Sequence, residues 1–229
     1  MQTFGAHDQS EVDVYRLSDA QIDTLVRLPE TGMGYQLVEA RVNDRRSRPY
    51  FVFNCELAVE PQELEEIGYF LPEERLSAVE VASTFESITP AQLSAMAPPT
   101  GGPGTPLGPL APSPRIVRMT VDFEGFARVS AFPNDRRAKP DGSLESGTYA
   151  TTVEDLRLVP SGFAAAGRYG LPNPAAARYV HIIVPGAGHR IDGGTVRPAH
   201  YQAGGGVEVL FVNGAPPGSV FRPYRIPEL

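Results

Sequence analysis

Gly194-Thr195-Val196-Arg197-Pro198-Ala199-His200-Tyr201-Gln202-Ala203-Gly204-Gly205-Gly206-Val207-Glu208-Val209-Leu210 is the stretch on which the reading of this chain turns. Three consecutive glycines separate a polar cluster from an apolar run. Glycine reaches backbone angles that other residues avoid, and it lets another group approach the main chain closely. His200, Tyr201 and Gln202, just before the glycines, can hydrogen-bond or stack. Residues 207–212, just after them, read as a strand carrying one carboxylate, Glu208, among apolar side chains. Two plans fit: a ligand-contacting loop beside a strand-borne glutamate, or a glycine-rich turn with Glu208 on a wet face. Strand parity puts Val207, Val209 and Phe211 on one face and Glu208 and Leu210 on the other. If the valine face is core, Glu208 is expected in a cleft shared with Gln202 and Tyr201, beneath the glycines. At least one glycine is expected at positive φ, since three in a row otherwise only weaken a strand.

Working outward, the chain has 229 residues, enough for one large domain or two small ones and for a substantial core. Its 23 Gly and 23 Pro favour strands, turns and loops over long helices. A net charge of −7 argues against nonspecific binding to nucleic acid or anionic membranes. No apolar run reaches membrane-spanning length, and the first residues lack the pattern of a signal peptide. A cytoplasmic location is the default expectation, with export as an effector by a signal-independent route left open. The single cysteine, Cys55, excludes an internal disulfide. It falls in residues 51–57, read as a buried strand, where a thiol is expected to be inert.

Residues 1–97 read as an α+β N-terminal module. A short strand near residues 12–17 leads to Ser18, an N-cap with Gln21 three residues on, and Ile22, Leu25 and Val26 follow at helical spacing until Pro29. Residues 35–42 and 49–57 form a hairpin around a charged turn. Helices are expected over residues 62–67, 73–82 and from Thr89-Pro90 to Met96. The acidic run between Glu60 and Glu74 lacks His and ligand spacing, so it reads as a solvated face, and no metal site is expected. Residues 98–114, uncharged and rich in Pro and Gly, read as a linker or long loop open to proteolysis.

Residues 115–229 read as a β-rich module. Strands are expected over residues 116–123, 126–132, 147–152, 178–184 and 207–212, with a short helix starting at Val153 and a C-terminal tail packed on the body. His181, in an apolar strand, reads as a satisfied core histidine, and His189 as solvated. No phosphate-loop Gly-Lys-Ser/Thr, serine nucleophile elbow or Rossmann fingerprint is present.

The stretch at 194–210 resembles the C-terminal motif of the necrotizing-toxin-type NAD glycohydrolase domain family. Gly194, Val196, Pro198, Gln202, the three glycines and Val207 match that motif in order and spacing. Upstream, Gly167-Arg168-Tyr169-Gly170-Leu171-Pro172 resembles the family's Arg-Ala-Leu-Pro step, and residues 178–185 resemble the strand that follows it. The resemblance covers about residues 115–212. It departs from the motif where the family Gln after the glycines is Glu208, where Ala199-His200 replace an aromatic pair, and where Ala203 replaces Pro. No histidine aligns with the family's, which falls near Arg178 and His181. The resemblance implies an α+β chain whose β-rich C-terminal module has the NAD glycohydrolase/ADP-ribosyltransferase-like fold. It implies NAD or NADP as substrate rather than a permanently bound cofactor, and an immunity or other partner protein.

Cleaving the nicotinamide–ribose bond generates an oxocarbenium-like centre, which calls for an aromatic surface, cations for the pyrophosphate and an acceptor beside the ribose. The resemblance assigns Glu208 and Gln202 to catalysis. It places Tyr149 and Tyr201 as stacking groups and Thr148 in the nicotinamide pocket. Arg128, Arg168 and Arg178 are its phosphate ligands. A carboxylate at the Glu208 position is what related ADP-ribosyltransferases use, so transfer stands beside hydrolysis. From a different class, the substituted motif positions fit a catalytically silent binding protein that keeps the fold.

Overall fold

The computed structural model describes residues 14–40, 48–59, 78–80, 85–87, 115–172, 177–200 and 202–227. The chain is α+β and rich in sheet. The first sheet runs in the order β5-β1-β4-β3-β2-β6, from β1 (Val14–Arg16), β2 (Tyr35–Ala40), β3 (Arg48–Phe53), β4 (Leu57–Val59), β5 (Ala78–Glu80) and β6 (Phe85–Ser87). Only the β1–β5 pair is parallel.

Helix α1 (Asp19–Arg27) covers one face of this sheet. Its start is fixed by a capping box: the Ser18 backbone N–H donates to Gln21 Oε1 at 2.9 Å. Its buried stripe, Ile22 and Leu25, packs with Leu17, Val38, Tyr50, Val52 and Cys55. The other face of the sheet, Phe51, Phe53, Leu57 and Val59, packs against Tyr35, Leu37 and Phe132.

The second sheet has seven antiparallel strands in the order β13-β10-β8-β9-β12-β11-β7. They are β7 (Ile116–Met119), β8 (Phe126–Ser130), β9 (Thr148–Thr152), β10 (Tyr179–Ile183), β11 (Arg190–Thr195), β12 (Val207–Phe211) and β13 (Tyr224–Arg225). One face carries Phe126, Ala150, Ile183, Ile191, Val209 and Phe211. The other is covered by α2 (Val153–Leu156) and α3 (Gly162–Tyr169) and carries Val129, Tyr149, Val180 and, less deeply, Leu210.

Several expectations are corrected. Residues 78–80 are a strand, not helix: pairing with β1 decides their state, and Val79 suits it. The helices expected at 62–67 and from Thr89 to Met96, and the linker at 98–114, lie outside the described residues. Cys55 is buried in a turn, at φ 55°, rather than in a strand. Among the elements that were not foreseen, two frame the site. β11, Arg-Ile-Asp-Gly-Gly-Thr, has two glycines where strand formers are expected. α3, Gly-Phe-Ala-Ala-Ala-Gly-Arg-Tyr, begins with glycine and is capped by Ser161, whose Oγ accepts from the Ala164 N–H.

A buried ionic joint binds residues of the first 40 positions to the second sheet. Arg128 of β8 is 1% exposed. Its Nη1 and Nη2 donate to Glu30 Oε2 and Oε1, each at 2.8 Å, and its Nε donates to Asp135 Oδ2 at 2.8 Å. Glu30 also accepts the Tyr149 backbone N–H at 2.8 Å and donates its own N–H to the Gly147 carbonyl. Beside it, buried Arg137 donates to the Val26 and Leu28 carbonyls at 3.2 and 2.9 Å, supplying donors that the end of α1 lacks. Burial alone would raise the Asp135 carboxyl, yet Arg128 holds it below the usual carboxylate range.

Removing one partner of a buried ion pair strands the other, at a cost of about 3–5 kcal/mol, whereas exposed pairs contribute about 1 kcal/mol or less. Glu30→Ala should therefore cost several-fold more stability in urea denaturation than Glu56→Ala, which breaks the Arg16 and Arg136 pairs nearer the surface. Equal losses for the two variants would show that the joint does not hold the fold.

Candidate functional site

The Gly204–Gly206 turn has the positive φ expected of it. Gly204 and Gly205 lie at φ 67° and 91°. Its main chain is turned inward, however. The Gly204 N–H donates to the Gly167 carbonyl at 2.9 Å, Gly205 to Val196 at 2.9 Å, and Gly206 to Arg168 at 3.0 Å. The glycines fasten the loop to the end of α3 and to residue 196, so their amides are not offered to a ligand. A Cβ at Gly204 would lie 2.7 Å from backbone atoms of Val196 and Arg197, and one at Gly206 would lie 2.7 Å from the Tyr169 ring. Close packing explains the small residues here.

Strand parity holds along β12. Val209 and Phe211 enter the core, while Glu208 and Leu210 share the opposite face. Cross-strand register sets Leu210 against Tyr149 on one side and Asp192 on the other, and Glu208 against Gly194. Glu208, Asp192 and Tyr149 therefore lie on one sheet face. Arg115, just before β7, reaches across it: Nη2 donates to Glu208 Oε1 at 2.9 Å and lies 3.5 Å from the Tyr149 hydroxyl, while Nη1 is 3.3 Å from Asp192 Oδ2. The Glu208 side chain is 23% exposed, so it faces neither bulk water nor a dry core. Burial pushes its pKa up and Asp192 adds to this, with Arg115 and Arg197 opposing them. The Tyr149 hydroxyl is likewise raised by burial, and Arg115 works against the shift.

Tyr35 of β2 contributes from the other sheet. Its hydroxyl is 3.1 Å from His200 Nε2, and the His200 ring meets Tyr35 and Phe51 edge-on. Burial pushes His200 down to about 4, which keeps it neutral at pH 7. Burial raises the Tyr35 hydroxyl above its ordinary range, and the charge on Glu208 raises it further.

The other expected residues are dispersed. Arg128 is engaged with Glu30 and Asp135 in the core, so it binds the fold rather than a phosphate. Thr148 is fully buried: its hydroxyl accepts from Arg137 Nε at 2.9 Å and donates to the Glu145 carbonyl, which leaves it no access to a ring pocket. Arg168 pairs with Asp155 at 2.5 and 2.9 Å. Arg178 is 7% exposed at the start of β10, and its N–H donates to the Ser130 carbonyl. Gln202 bridges to Ala199 beside α3, and the hydrogen bond made by Glu208 goes to Arg115 rather than to it. Tyr201 lies outside the described residues. His181 is buried as expected; its ring hydrogen-bonds with the Phe132 backbone, while its Nε2 has no partner among the described residues, so the histidine read as satisfied is satisfied in part.

Glu208 and Tyr149 are thus brought together, and Arg115, Asp192, Tyr35 and His200 complete the cluster. Asp192 could have been found from sequence by recognising β11; Arg115 and Tyr35 carry no local signal. Among the described residues, no group of three or more His, Cys, Asp or Glu is placed to hold a metal ion, and no helix is long and apolar enough to cross a membrane.

No family model matches this chain, and no curated protein matches it. Among solved structures it is similar to one described as "Structure of Tne2 in complex with Tni2", at 18% identity and a TM-score of 0.39, over 50% of this chain and 94% of that one. A likeness at that level carries no chemistry from one protein to the other.

Two outcomes follow from this geometry. Gly204→Ala and Gly206→Ala should each cost about 2 kcal/mol or more, through backbone or ring clashes. Gly205→Ala, with open space around it but φ at 91°, should cost about 1–2 kcal/mol. Thermal melts of the three variants check the order. For His200, the folded pKa of about 4 lies below the ordinary 6.5, so its contribution to stability is full above pH 6.5 and is lost as pH falls toward 4. The loss should reach up to about 3 kcal/mol. His200→Gln should flatten the stability profile over that window, and an unchanged slope would count against a buried neutral imidazole.

Proposed function

We propose that this chain is an NAD(P)-cleaving enzyme, a glycohydrolase or ADP-ribosyltransferase-type effector, acting at the Glu208 face of the second sheet. The observation that supports it is the placement of Glu208. Its carboxylate is largely buried and lies on one face with Tyr149, at the position where the resemblance implies the catalytic group.

In the proposed reaction the bond between ribose C1′ and the nicotinamide nitrogen breaks, and its electron pair leaves with nicotinamide. The ribosyl cation is met by water, which adds its oxygen to C1′ and releases a proton, or by a nucleophile of a target molecule. Glu208 opposes the developing positive charge and accepts from the ribose hydroxyls. Tyr149, whose ring is packed in the core, offers its hydroxyl on the same face. The phosphate-binding role expected of Arg128 and Arg168 does not enter the proposal, since both are engaged with carboxylates. Arg197, exposed on the segment before the glycine loop and acting on the charge of Glu208, is the better-placed cation.

A second reading has its own support. The glycine-loop amides are all satisfied internally and Glu208 already holds a cation, as in a binding protein that keeps the fold without the chemistry. Its partner would be another protein, for an effector an immunity protein.

The two readings separate on nicotinamide release from NAD by the purified chain. Under the enzymatic reading, Glu208→Gln keeps shape and hydrogen bonding but removes charge, and should lower release or transfer by about 10²-fold or more while NAD binding is retained in part. A native protein that neither binds nor consumes NAD or NADP, and that is indifferent to Glu208→Gln, would leave the silent-binder reading in its place.

A further inference from the structure

The arrangement around Arg115 is a seat for a planar cation. Asp192 and Glu208, on neighbouring strands, present two carboxylates on one face, and the Tyr149 hydroxyl stands beside them. Beside Glu208 the floor is bare on the β11 side, because Gly194 stands opposite it, while Leu210 stands opposite Asp192. A Cβ at Gly194 would lie 3.6 Å from Arg115 Cγ, so the arginine stem runs over the position where a larger residue would project.

Arg115 fills this seat incompletely. One guanidinium faces two carboxylates, and its bond to Asp192 is long, at 3.3 Å. Asp192 Oδ1, an atom closed to solvent, has no hydrogen-bond donor among the described residues. A buried carboxylate oxygen without a donor is unfavourable, so Arg115 satisfies the carboxylates it sits on only in part. Arg115 itself is 43% exposed, at the outer edge of the sheet, so leaving the seat returns its charge to water at little cost.

We propose that the Asp192–Glu208–Tyr149 face is a binding site for a planar organic cation carried by another molecule, and that Arg115 is its tethered occupant. The site rests on the Glu208 reading above for its location, but not on NAD cleavage. Two ligand sources share the chemistry: a guanidinium from an arginine side chain of a partner protein, and a pyridinium such as the cationic nicotinamide ring. Carboxylates recognise a guanidinium through paired N–H donors, whereas a pyridinium has charge and a flat face but no such fork. A tethered competitor acts at an effective concentration on the order of millimolar, so the intact chain binds small free cations weakly.

The test uses the full chain with two probes, methylguanidinium and 1-methylnicotinamide, titrated separately and followed by NMR chemical shifts. Arg115→Ala should bind at least one probe saturably and at least about 10-fold tighter than the unaltered chain, the margin expected on removing a tethered competitor. Adding Asp192→Asn to Arg115→Ala should abolish the gain. Arg115→Gln, closer in size, repeats the measurement if the alanine variant melts early. Preference for methylguanidinium assigns the site to an arginine of a partner, and preference for 1-methylnicotinamide to a dinucleotide. Absence of saturable binding in both folded variants, equal binding with and without Arg115, or binding indifferent to Asp192→Asn overturns the proposal. Nicotinamide release from NAD, measured in parallel, separates the outcomes: probe binding without turnover retires the enzymatic reading alone, and turnover without probe binding retires this one alone.

Discussion

The charge of Glu30 inside the protein governs the rest of the structure. A carboxylate with almost no access to water must be matched, and here one guanidinium and one backbone amide match it, both from the second sheet. Arg128 in turn has Asp135, and Arg137 stands 4.0 Å from Glu30, so two carboxylates and two arginines form one buried network. Buried ions of this kind add little net stability against an apolar equivalent. They make wrong arrangements costly, because any displacement of β2 and α1 from β8 and β9 strands a charge. With the same contacts, the joint brings Tyr35 of the first sheet to His200 beside the glycine loop. The Glu208 face therefore has walls from both sheets.

Local pattern carried the second sheet well. Alternation in residues 126–132 and 207–212 marked strands, the strand read over 116–123 stops at Met119 and is exposed on both faces, and parity along β12 placed Glu208 on the correct face. Ser18 and Gln21 marked the start of α1 through a contact only three residues long. The failures have a common cause: the deciding partner lies far away in sequence. The strand at Ala78–Glu80 is set by β1, and β11 is strand because β12 and β7 flank its two glycines. Arg128, Arg168 and Arg178 were read as equivalent cations, but an arginine in a β-rich chain is as readily drawn to an internal carboxylate as to a phosphate. Nothing near Arg128 in sequence announces Glu30, 98 positions away. The same distance effect hid Arg115, which is 93 residues from Glu208.

The glycine loop shows how one motif supports two readings. Its positive φ angles and close contacts follow from geometry and are present. Ligand recognition by its amides is a separate inference, and the amides bond instead to carbonyls of α3 and of residue 196. The loop therefore acts on the Glu208 face indirectly. It fixes where β12 begins and holds Ala199 and Gln202 against α3, so the orientation of His200 and of the carboxylate follows from packing that involves no ligand.

The single thiol gives the molecule a built-in clock. Cys55 lies in the core, its Sγ–H donates to Gln36 Oε1 at 3.4 Å, and burial pushes its pKa up to about 12. Gln36 Nε2 in turn donates to the Leu25 and Leu28 carbonyls, and Arg137 donates to the Leu28 carbonyl from the other side. Alkylating reagents attack thiolates, so the folded chain resists them and modification waits for the end of α1 to lift. At reagent concentrations where modification outpaces reclosing, the rate of alkylation in native buffer is the opening rate of the end of α1; at lower concentrations it follows the population of the open form, read at one atom without any introduced label.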